Sequence, residues 1–141
     1  MLTLSMILAI AFAVLAFVHI YWASDGDIGS LKVIPVSNGR PVFIPGVAET
    51  LIVALILACF SLVALALGFY GLISADLQPY VKASALAIGV VLILRATGDF
   101  KYVGFFKRVR GSSFAKYDDW IYSPFCLLAG STYIFLVTSL P

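Results

Sequence analysis

Four uncharged apolar stretches, the third shorter than the others, dominate this sequence and restrict what it can fold into. They run over residues 1–24, 50–75, 83–94 and 120–141. Because an apolar run of roughly 18 or more residues matches the thickness of a bilayer core, the chain is predicted to be an integral membrane protein. The composition agrees, since 62% of the residues are hydrophobic and only 11% are charged, which is too little charge for a water-exposed surface.

Helices are the predicted form of these stretches, because a bilayer requires every backbone polar group to be paired within its segment or in a closed barrel. The stretches lack the alternating pattern of barrel strands. We therefore predict an all-α fold of four transmembrane helices in an antiparallel bundle, forming a single domain over residues 1–141. The predicted helix bounds are about 2–23, 46–72, 79–98 and 119–139.

The basic residues predict which side of the membrane the loops face. With four spans, both termini lie on one side and the first and third loops lie on the other. Eight of the nine Lys and Arg residues, Lys32 among them, lie in or beside those two loops, and Lys82 is the exception. Lys and Arg in short loops mark the cytoplasmic face, so both termini are predicted to lie outside.

The long first loop, DGDIGSLKVIPVSNGRPVFIP, allows two interpretations. Asn38–Gly39 between two extended arms is typical of a tight hairpin turn. Pro35 and Pro41 would interrupt a regular ladder, so an irregular interfacial loop is preferred. Asp25–Gly26–Asp27 lacks the spaced ligands of a calcium loop and does not predict an ion site.

Six ionisable residues are predicted to lie at the cytoplasmic end of the bundle. Such residues are costly at membrane depth, usually face the bundle interior and are functional candidates by default. The six are His19, Glu49, Arg95, Asp99, Asp118 and Asp119. Two residues beside the histidine, Tyr21 and Trp22, have the character of an interfacial aromatic belt.

Arg95 is the most informative of the six. Only 12 residues separate it from Lys82, about 18 Å of helix against a bilayer core of about 30 Å, so one or both charges must enter the apolar region or snorkel out of it. Asp99, four residues later, or Glu49 is the predicted ion-pair partner of Arg95. The alternative is an interfacial anchor at a helix C-terminus, where cations are favoured.

Each of the other candidate residues also has a structural explanation that competes with a functional role. Glu49 lies in a first helical turn, where the helix dipole favours an acid. Asp118 and Asp119 fit the N-cap of the fourth helix and its neighbour, and Pro124 predicts either a late start or a kink of that helix. His19 is the sole histidine, which excludes a multi-histidine metal site, and no cofactor is indicated.

Sequence motifs give no support for an enzyme. A nucleophile elbow, a phosphate-cradling glycine loop and a dinucleotide fingerprint are all missing from the sequence. The run from Lys107 to Arg110, preceded by Phe105 and Phe106, is typical of a surface segment that meets anionic lipid. A net charge of +2 is too small to predict nucleic acid as a partner.

Two segments resemble a known family. VHIYWASDGDIG at the end of the first helix and RATGDFKYVGFFKRVRGSSFAKYDDWIYSPFCLLAG from the third helix into the fourth resemble small bacterial four-helix membrane proteins catalogued as a domain of unknown function. The resemblance covers nearly the whole chain, implies a bacterial inner-membrane protein and supplies no activity. Here Ser24, Asp25 and Asp27 intervene where the family usually runs from Trp-Ala into a glycine pair. The positions that the resemblance emphasises are His19, Tyr21, Trp22, Arg95, Gly98, Asp99 and Phe100.

The preferred hypothesis is a ligand-binding or transport bundle. A few convergent polar groups among apolar walls would hold the polar head of a ligand, while the helices hold its tail. The expected partners are then the lipid bilayer and a lipid-like or small amphipathic molecule. The side chains expected to line this pocket are His19, Glu49, Arg95 and Asp99.

Two alternatives remain open. One is an accessory subunit with a protein partner, for which Ala83, Ala87 and Gly89 on the third helix would allow close helix contact. The other is an intramembrane enzyme that uses His19 or Glu49 as acid or base and Arg95 to stabilise the developing charge.

Overall fold

The computed structural model describes residues 1–24, 26, 34–37 and 40–141. The predictions that concern Asp25, Asp27, Lys32 and the Asn38–Gly39 turn therefore lie outside the described residues. The elements in chain order are α1 Leu2–Ala23, β1 Val36–Ser37, β2 Arg40–Pro41, α2 Val47–Gly68, a 3₁₀ turn Tyr70–Leu72, α3 Gln78–Thr97, α4 Ser113–Tyr117, a π-helical turn Asp118–Tyr122 and α5 Ser123–Thr138.

Four helical segments are long and apolar enough to cross a membrane, which confirms the predicted fold class. Three of them are α1, α2 and α3, and the fourth is the continuous helical stretch Ser113–Thr138. Large apolar side chains such as Leu72 cover the outer surface. A bilayer suits this arrangement, since the backbone of each segment is paired internally and the exposed side chains suit lipid.

Helices α1 and α2 pack against each other along their length. At one end, a Cβ placed on Gly68 would lie 2.4 Å from the hydroxyl oxygen of Ser5, so the two helices nearly touch. Farther along, the Ser61 hydroxyl donates to the Ala9 carbonyl oxygen at 2.7 Å. The start of α1 therefore lies beside the end of α2.

Helices α3 and α5 form a second pair. A Cβ on Gly130 would lie 2.7 Å from the Gly89 carbonyl oxygen, so only glycine allows this backbone approach. Gly89 thus serves the packing of the bundle itself, whereas Ala83 and Ala87 are exposed on α3. Near the start of α3, the Lys82 ammonium donates to the carbonyl oxygen of Pro141.

An aromatic cluster joins the two helix pairs. Phe12 of α1 packs edge-on against Phe60 of α2 at 5.5 Å between ring centroids and against Phe125 of α5 at 5.6 Å. The Tyr133 hydroxyl donates to the Phe60 carbonyl oxygen, so a hydrogen bond connects α5 to α2 inside this cluster. Edge-to-face rings and a satisfied hydroxyl favour one fixed arrangement of the pairs.

The fourth span begins earlier than predicted. Ser112 is the N-cap of α4, where its Oγ accepts from the N–H of Ala115 at 3.1 Å, so the prediction that Asp118 caps this helix is wrong. The prediction of a late start at Pro124 is also wrong, because the helix continues through that residue. The π-helical turn just before Pro124 widens the backbone and accommodates a ring that would displace an ordinary helical hydrogen bond.

The first loop contains a short antiparallel ladder. Strand residues 36 and 37 pair with Pro41 and Arg40, and the Val42 N–H donates to the Pro35 carbonyl oxygen at 2.9 Å. The preference for an irregular loop is wrong at these positions. Pro35 is tolerated because it takes part through its carbonyl oxygen, which does not require the N–H that proline lacks.

Candidate functional site

A cavity of about 440 Å³ lies where the end of α1, the start of α2 and the segment leading into α2 meet. We call it the histidine cavity. Its polar side chains are those of His19, Trp22, Glu49 and Thr50. Its remaining lining is formed by Gly26, Ile34, Phe43, Ile44, Pro45 and Val53. A few convergent polar groups among apolar walls are typical of a small-molecule site.

The imidazole of His19 is held by contacts within α1. Its Nδ1 lies 2.7 Å from the carbonyl oxygen of Leu15, and because a carbonyl oxygen only accepts, Nδ1 carries a proton. The indole ring of Trp22 packs edge-on against the imidazole at 5.0 Å between centroids. In the neutral imidazole these contacts leave Nε2 as a hydrogen-bond acceptor.

Glu49 and Thr50 lie in the first turn of α2, which begins after Gly46. The Glu49 carboxylate lies over Gly46, since a Cβ at that glycine would be 2.6 Å from Oε2. The Thr50 hydroxyl donates to the Gly46 carbonyl oxygen at 2.9 Å. None of the ion pairs among the described residues involves Glu49, so the oxygen atoms of its carboxyl group remain able to accept hydrogen bonds at the cavity.

The cavity unites only part of the predicted polar site. His19, Trp22 and Glu49 come together there, as far as the described lining shows. The ring of Tyr21 instead lies over Gly26, where a Cβ would be 2.4 Å from it, and the residue is 44% exposed. The two remaining candidates, Arg95 and Asp99, do not line this cavity either.

Arg95 pairs with a different acid from those predicted. Its Nη2 lies 2.8 Å from Oδ1 of Asp118, whose side chain is completely buried. The prediction of Asp99 or Glu49 as the partner is wrong. It failed because the segment after α3 folds back onto the end of that helix, where the N–H of Phe105 donates to the Ala96 carbonyl oxygen. The π-helical turn with Asp118 thereby lies beside the end of α3.

A second cation shares the same carboxylate. The side chain of Lys107 is completely buried, and its Nζ donates to Asp118 Oδ2 at 3.0 Å and to Asp119. The prediction that Lys107 lies on a lipid-facing surface is therefore wrong. Arg110 extends the network to Asp119 at 3.3 Å. We call this network the Asp118 cluster, and its members are Arg95, Lys107, Arg110, Asp118 and Asp119.

The Asp118 cluster is nearly closed. Besides its two cations, the Asp118 carboxylate accepts the N–H of Gly104 at 2.7 Å, and Lys107 also donates to the carbonyl oxygen of Gly104 at 3.0 Å. A buried charge is tolerated when it is paired and hydrogen-bonded in this way. Arg95 Nη1 is a buried atom with no partner among the described residues. The cluster thus joins α3, the third loop and the π-helical turn.

Asp99 organises the turn that follows α3. Its Oδ1 accepts the backbone N–H groups of Lys101 at 2.9 Å, Tyr102 at 2.7 Å and Val103 at 2.9 Å. Partial desolvation acts to raise the pKa of Asp99, but the backbone donors outweigh it and hold the pKa below its ordinary value of 3.8. The carboxylate therefore stabilises this turn, and Arg95 pairs with Asp118 instead.

Two glycines make the Asp99 turn sterically possible. Gly98 has φ +97° and Gly104 has φ +86°, both in the left-handed region that favours glycine. A Cβ on Gly98 would lie 1.8 Å from the carbonyl oxygen of Val103, and one on Gly104 would lie 2.4 Å from the Gly98 Cα. Phe100 also has positive φ, at 60°. The Arg-x-x-Gly-Asp-Phe element thus shapes a turn and does not line the cavity.

Sequence reasoning missed two parts of these sites. The apolar cavity walls Phe43 and Ile44 lie in an extended segment without helical or strand periodicity, although an apolar VFIP run in a loop is itself an unusual signal. The role of Asp118 was missed because the helix start was placed too late. Ser112, which is followed by Ser113 and the apolar pair Phe114–Ala115, was the N-cap signal in the sequence for the earlier start.

Comparison with protein families relates the chain to one of them. The family model described as Protein of unknown function (DUF3995) matches residues 12–133. The chain belongs to the DUF3995 family. The matched range contains both the histidine cavity and the Asp118 cluster, and the predicted resemblance to a family of unknown function is confirmed. Searches of curated proteins and of solved structures found no match.

Proposed function

We propose that this DUF3995 protein is a ligand-binding or transport bundle of the bacterial inner membrane that holds a small amphipathic molecule in the histidine cavity. The cavity itself is the observation that carries the proposal. Its volume of about 440 Å³ falls within the range of roughly 300–1,000 Å³ that is typical of ligand pockets. The cytoplasmic placement of this end of the bundle belongs to the proposal, supported by the basic residues of the first and third loops.

The two kinds of lining suggest how such a molecule would be held. His19 and Glu49 lie at helix ends, where the polar head of an amphipathic molecule meets the membrane interface. Phe43, Ile44 and Val53 provide apolar contacts for the hydrocarbon part. Burial of each methylene group contributes about 0.8 kcal/mol, so the walls supply affinity and the polar groups supply orientation.

The alternatives receive less support. The acid–base enzyme relied on Arg95 to stabilise developing charge, and Arg95 is instead committed to Asp118. The accessory-subunit alternative is supported by the exposure of Ala83 and Ala87 on α3, which leaves a small-residue face open to another helix.

The proposal is tested by identifying what co-purifies with four forms of the protein. Val53→Phe fills the cavity, and His19→Phe removes its polar ring while preserving an aromatic of similar breadth. Leu55→Phe is the matched control, because Leu55 is on the same helix, exposed and outside the cavity lining. Mass spectrometry of the purified samples then compares bound lipids and small molecules.

We expect the parent protein and Leu55→Phe to carry the same bound molecule, and Val53→Phe and His19→Phe to lose it. All four forms should retain the same thermal stability within about 1.5 kcal/mol, since neither cavity variant breaks a buried ion pair. Identical bound molecules in all four folded samples would overturn the proposal in favour of the accessory-subunit alternative.

A further inference from the structure

The polar atoms of the histidine cavity indicate which kind of head it suits. Among His19, Glu49 and Thr50 of the described lining, the side-chain atoms that are open to a ligand are acceptors. His19 donates its Nδ1 proton to a backbone carbonyl within α1, which leaves Nε2 as an acceptor in the neutral ring. Thr50 likewise donates its hydroxyl proton to the backbone, and the Glu49 carboxylate accepts only.

The charge of the described lining is negative. Glu49 contributes a formal negative charge, the described lining contains no Lys or Arg, and none of the ion pairs among the described residues involves Glu49. The N-terminus of α2 opposes this charge with the helix dipole, which corresponds to only about half a positive charge. The formal charge of the described lining therefore remains negative, so this lining favours a cation over an anion.

An aromatic ring strengthens this preference. Phe43 lines the cavity and is 54% exposed, and the face of an aromatic ring attracts a cation that lies within about 6 Å. The other walls, which include Ile34, Ile44 and Val53, offer no polar side-chain atoms and suit a hydrocarbon chain. The acceptors, the negative charge and the aromatic face thus all favour a cationic head on a hydrocarbon chain.

Building on the proposed function, we infer that the histidine cavity binds the protonated amine head of an amphipathic molecule. Glu49 is the counter-ion of the ammonium group, and Nε2 of His19 accepts one of its protons. The ammonium group belongs either to the headgroup of an aminophospholipid or to a free single-chain amine. Both sources present the same chemistry to the cavity, so the test includes one arm for each.

The chain offers a built-in reporter for this test. It contains two tryptophans, and Trp120→Phe leaves Trp22 as the only one, in the wall of the cavity. The variant is reconstituted in phosphatidylcholine nanodiscs and titrated with decylamine, decanol and decanoate, which share a chain and differ in the head. We expect a saturable change in Trp22 emission, with decylamine binding about tenfold or more tightly than decanoate.

Two variants test whether the Glu49 carboxylate causes the preference for decylamine over decanoate. Glu49→Gln should abolish most of the advantage of decylamine and leave decanol binding unchanged. Asp76→Asn is the matched control, because it removes an exposed carboxylate outside the cavity lining and should keep the full advantage. If Asp76→Asn lowers the advantage as much as Glu49→Gln does, general surface charge explains the preference and the inference is wrong.

The test separates failure of this inference from failure of the proposed function. Equal saturable binding of the three probes, abolished by Val53→Phe, would overturn the amine assignment and leave the cavity as a ligand site. A lack of saturable binding for every probe would overturn both.

The two sources of the amine are distinguished by lipid composition. The decylamine titration is repeated in nanodiscs that contain phosphatidylethanolamine. Weaker apparent binding there assigns the site to an aminophospholipid, which competes from within the bilayer. Unchanged binding assigns it to a free single-chain amine.

Discussion

The histidine cavity and the Asp118 cluster show two opposite ways of placing ionisable groups in one membrane protein. In the cluster, the Asp118 carboxylate is completely buried and meets a guanidinium, an ammonium and a backbone N–H. In the cavity, the Glu49 carboxylate is exposed and takes part in none of the ion pairs among the described residues. Both regions had the same appearance in the sequence, as charges beside apolar helices.

The difference teaches that the presence of charges does not by itself distinguish a structural network from a candidate binding site. The distinguishing feature is whether the charges are already paired within the protein. A buried charge that is already compensated contributes to a unique structure and has little capacity left for a ligand. Polar groups that line an open space retain that capacity. The Asp118 cluster thus has the features of a structural network, the histidine cavity is the proposed binding site, and the following predictions test that contrast.

The largest expected effect is an all-or-none difference in labelling. Cysteines are placed singly at Gly111, in the third loop, and at Asp76, in the second, with Cys59 and Cys126 replaced by alanine. A membrane-impermeant thiol reagent added to intact cells should label Asp76→Cys and spare Gly111→Cys, because the basic loops are predicted to face the cytoplasm. The reverse pattern would place the third loop outside and refute this orientation.

The next largest effect concerns stability. Asp118→Asn keeps the shape of the side chain and removes the charge that compensates Arg95 and Lys107, so it should lower the free energy of unfolding by about 3–5 kcal/mol. Glu49→Gln should change it by no more than about 0.5 kcal/mol, since no ion pair is lost. Thermal unfolding in detergent measures both.

A double-mutant cycle sharpens this result. Arg95→Leu combined with Asp118→Leu should be less destabilising than the sum of the single changes, by about 1–3 kcal/mol, whereas Arg95→Leu and Asp99→Ala should be additive. Equal losses from Asp118→Asn and Glu49→Gln would erase the contrast between the two regions.

A smaller loss is expected at the turn that supports the cluster. Gly104→Ala introduces a Cβ 2.4 Å from the Gly98 Cα at a φ of +86°, and such backbone strain costs about 1–3 kcal/mol. Gly111→Ala is the matched control, because a Cβ there meets nothing within 4 Å. Circular dichroism on heating should show a lower midpoint for the first variant alone; equal midpoints would mean that the turn is not tightly packed.

The smallest expected effect is a pH dependence of the same turn. Because the pKa of Asp99 is lowered in the folded protein, its contribution to stability is present above the ordinary pKa and is lost as the pH falls through the lowered value. The difference in thermal midpoint between the parent and Asp99→Asn should be constant above about pH 5 and shrink below the ordinary pKa of about 3.8. The exposed Asp76→Asn serves as the control. A difference that grows on acidification would contradict the assigned direction.

Much of the fold follows from the sequence because a bilayer allows few solutions. The apolar runs fixed the number of spans, and the first three helices lie within a few residues of their predicted bounds. The fourth did not, since Asp118 and Asp119 resemble an N-cap locally while Ser112, six residues earlier than Asp118, performs that role. A local signal cannot reveal that the third loop folds back and buries those acids.

The structure brings some of the predicted polar residues together and separates others, and the cause is similar. His19 and Glu49 lie at adjacent ends of α1 and α2, which are neighbours in the chain, so their proximity follows from a simple hairpin. The partner of Arg95 depends on a long-range contact across the third loop. Asp99, the partner predicted for Arg95, instead accepts backbone N–H groups of the turn that follows α3. Residue spacing alone does not show these hydrogen bonds.

The division into an α1–α2 pair and an α3–α5 pair also bears on how the chain is assembled. Each pair unites spans that leave the ribosome one after the other, so the first pair can complete its contacts before the second has been synthesised. The hydrogen bond from Tyr133 to Phe60 spans both pairs and requires the last helix. It therefore forms only when insertion is complete, and its presence distinguishes the finished protein from a half-inserted one.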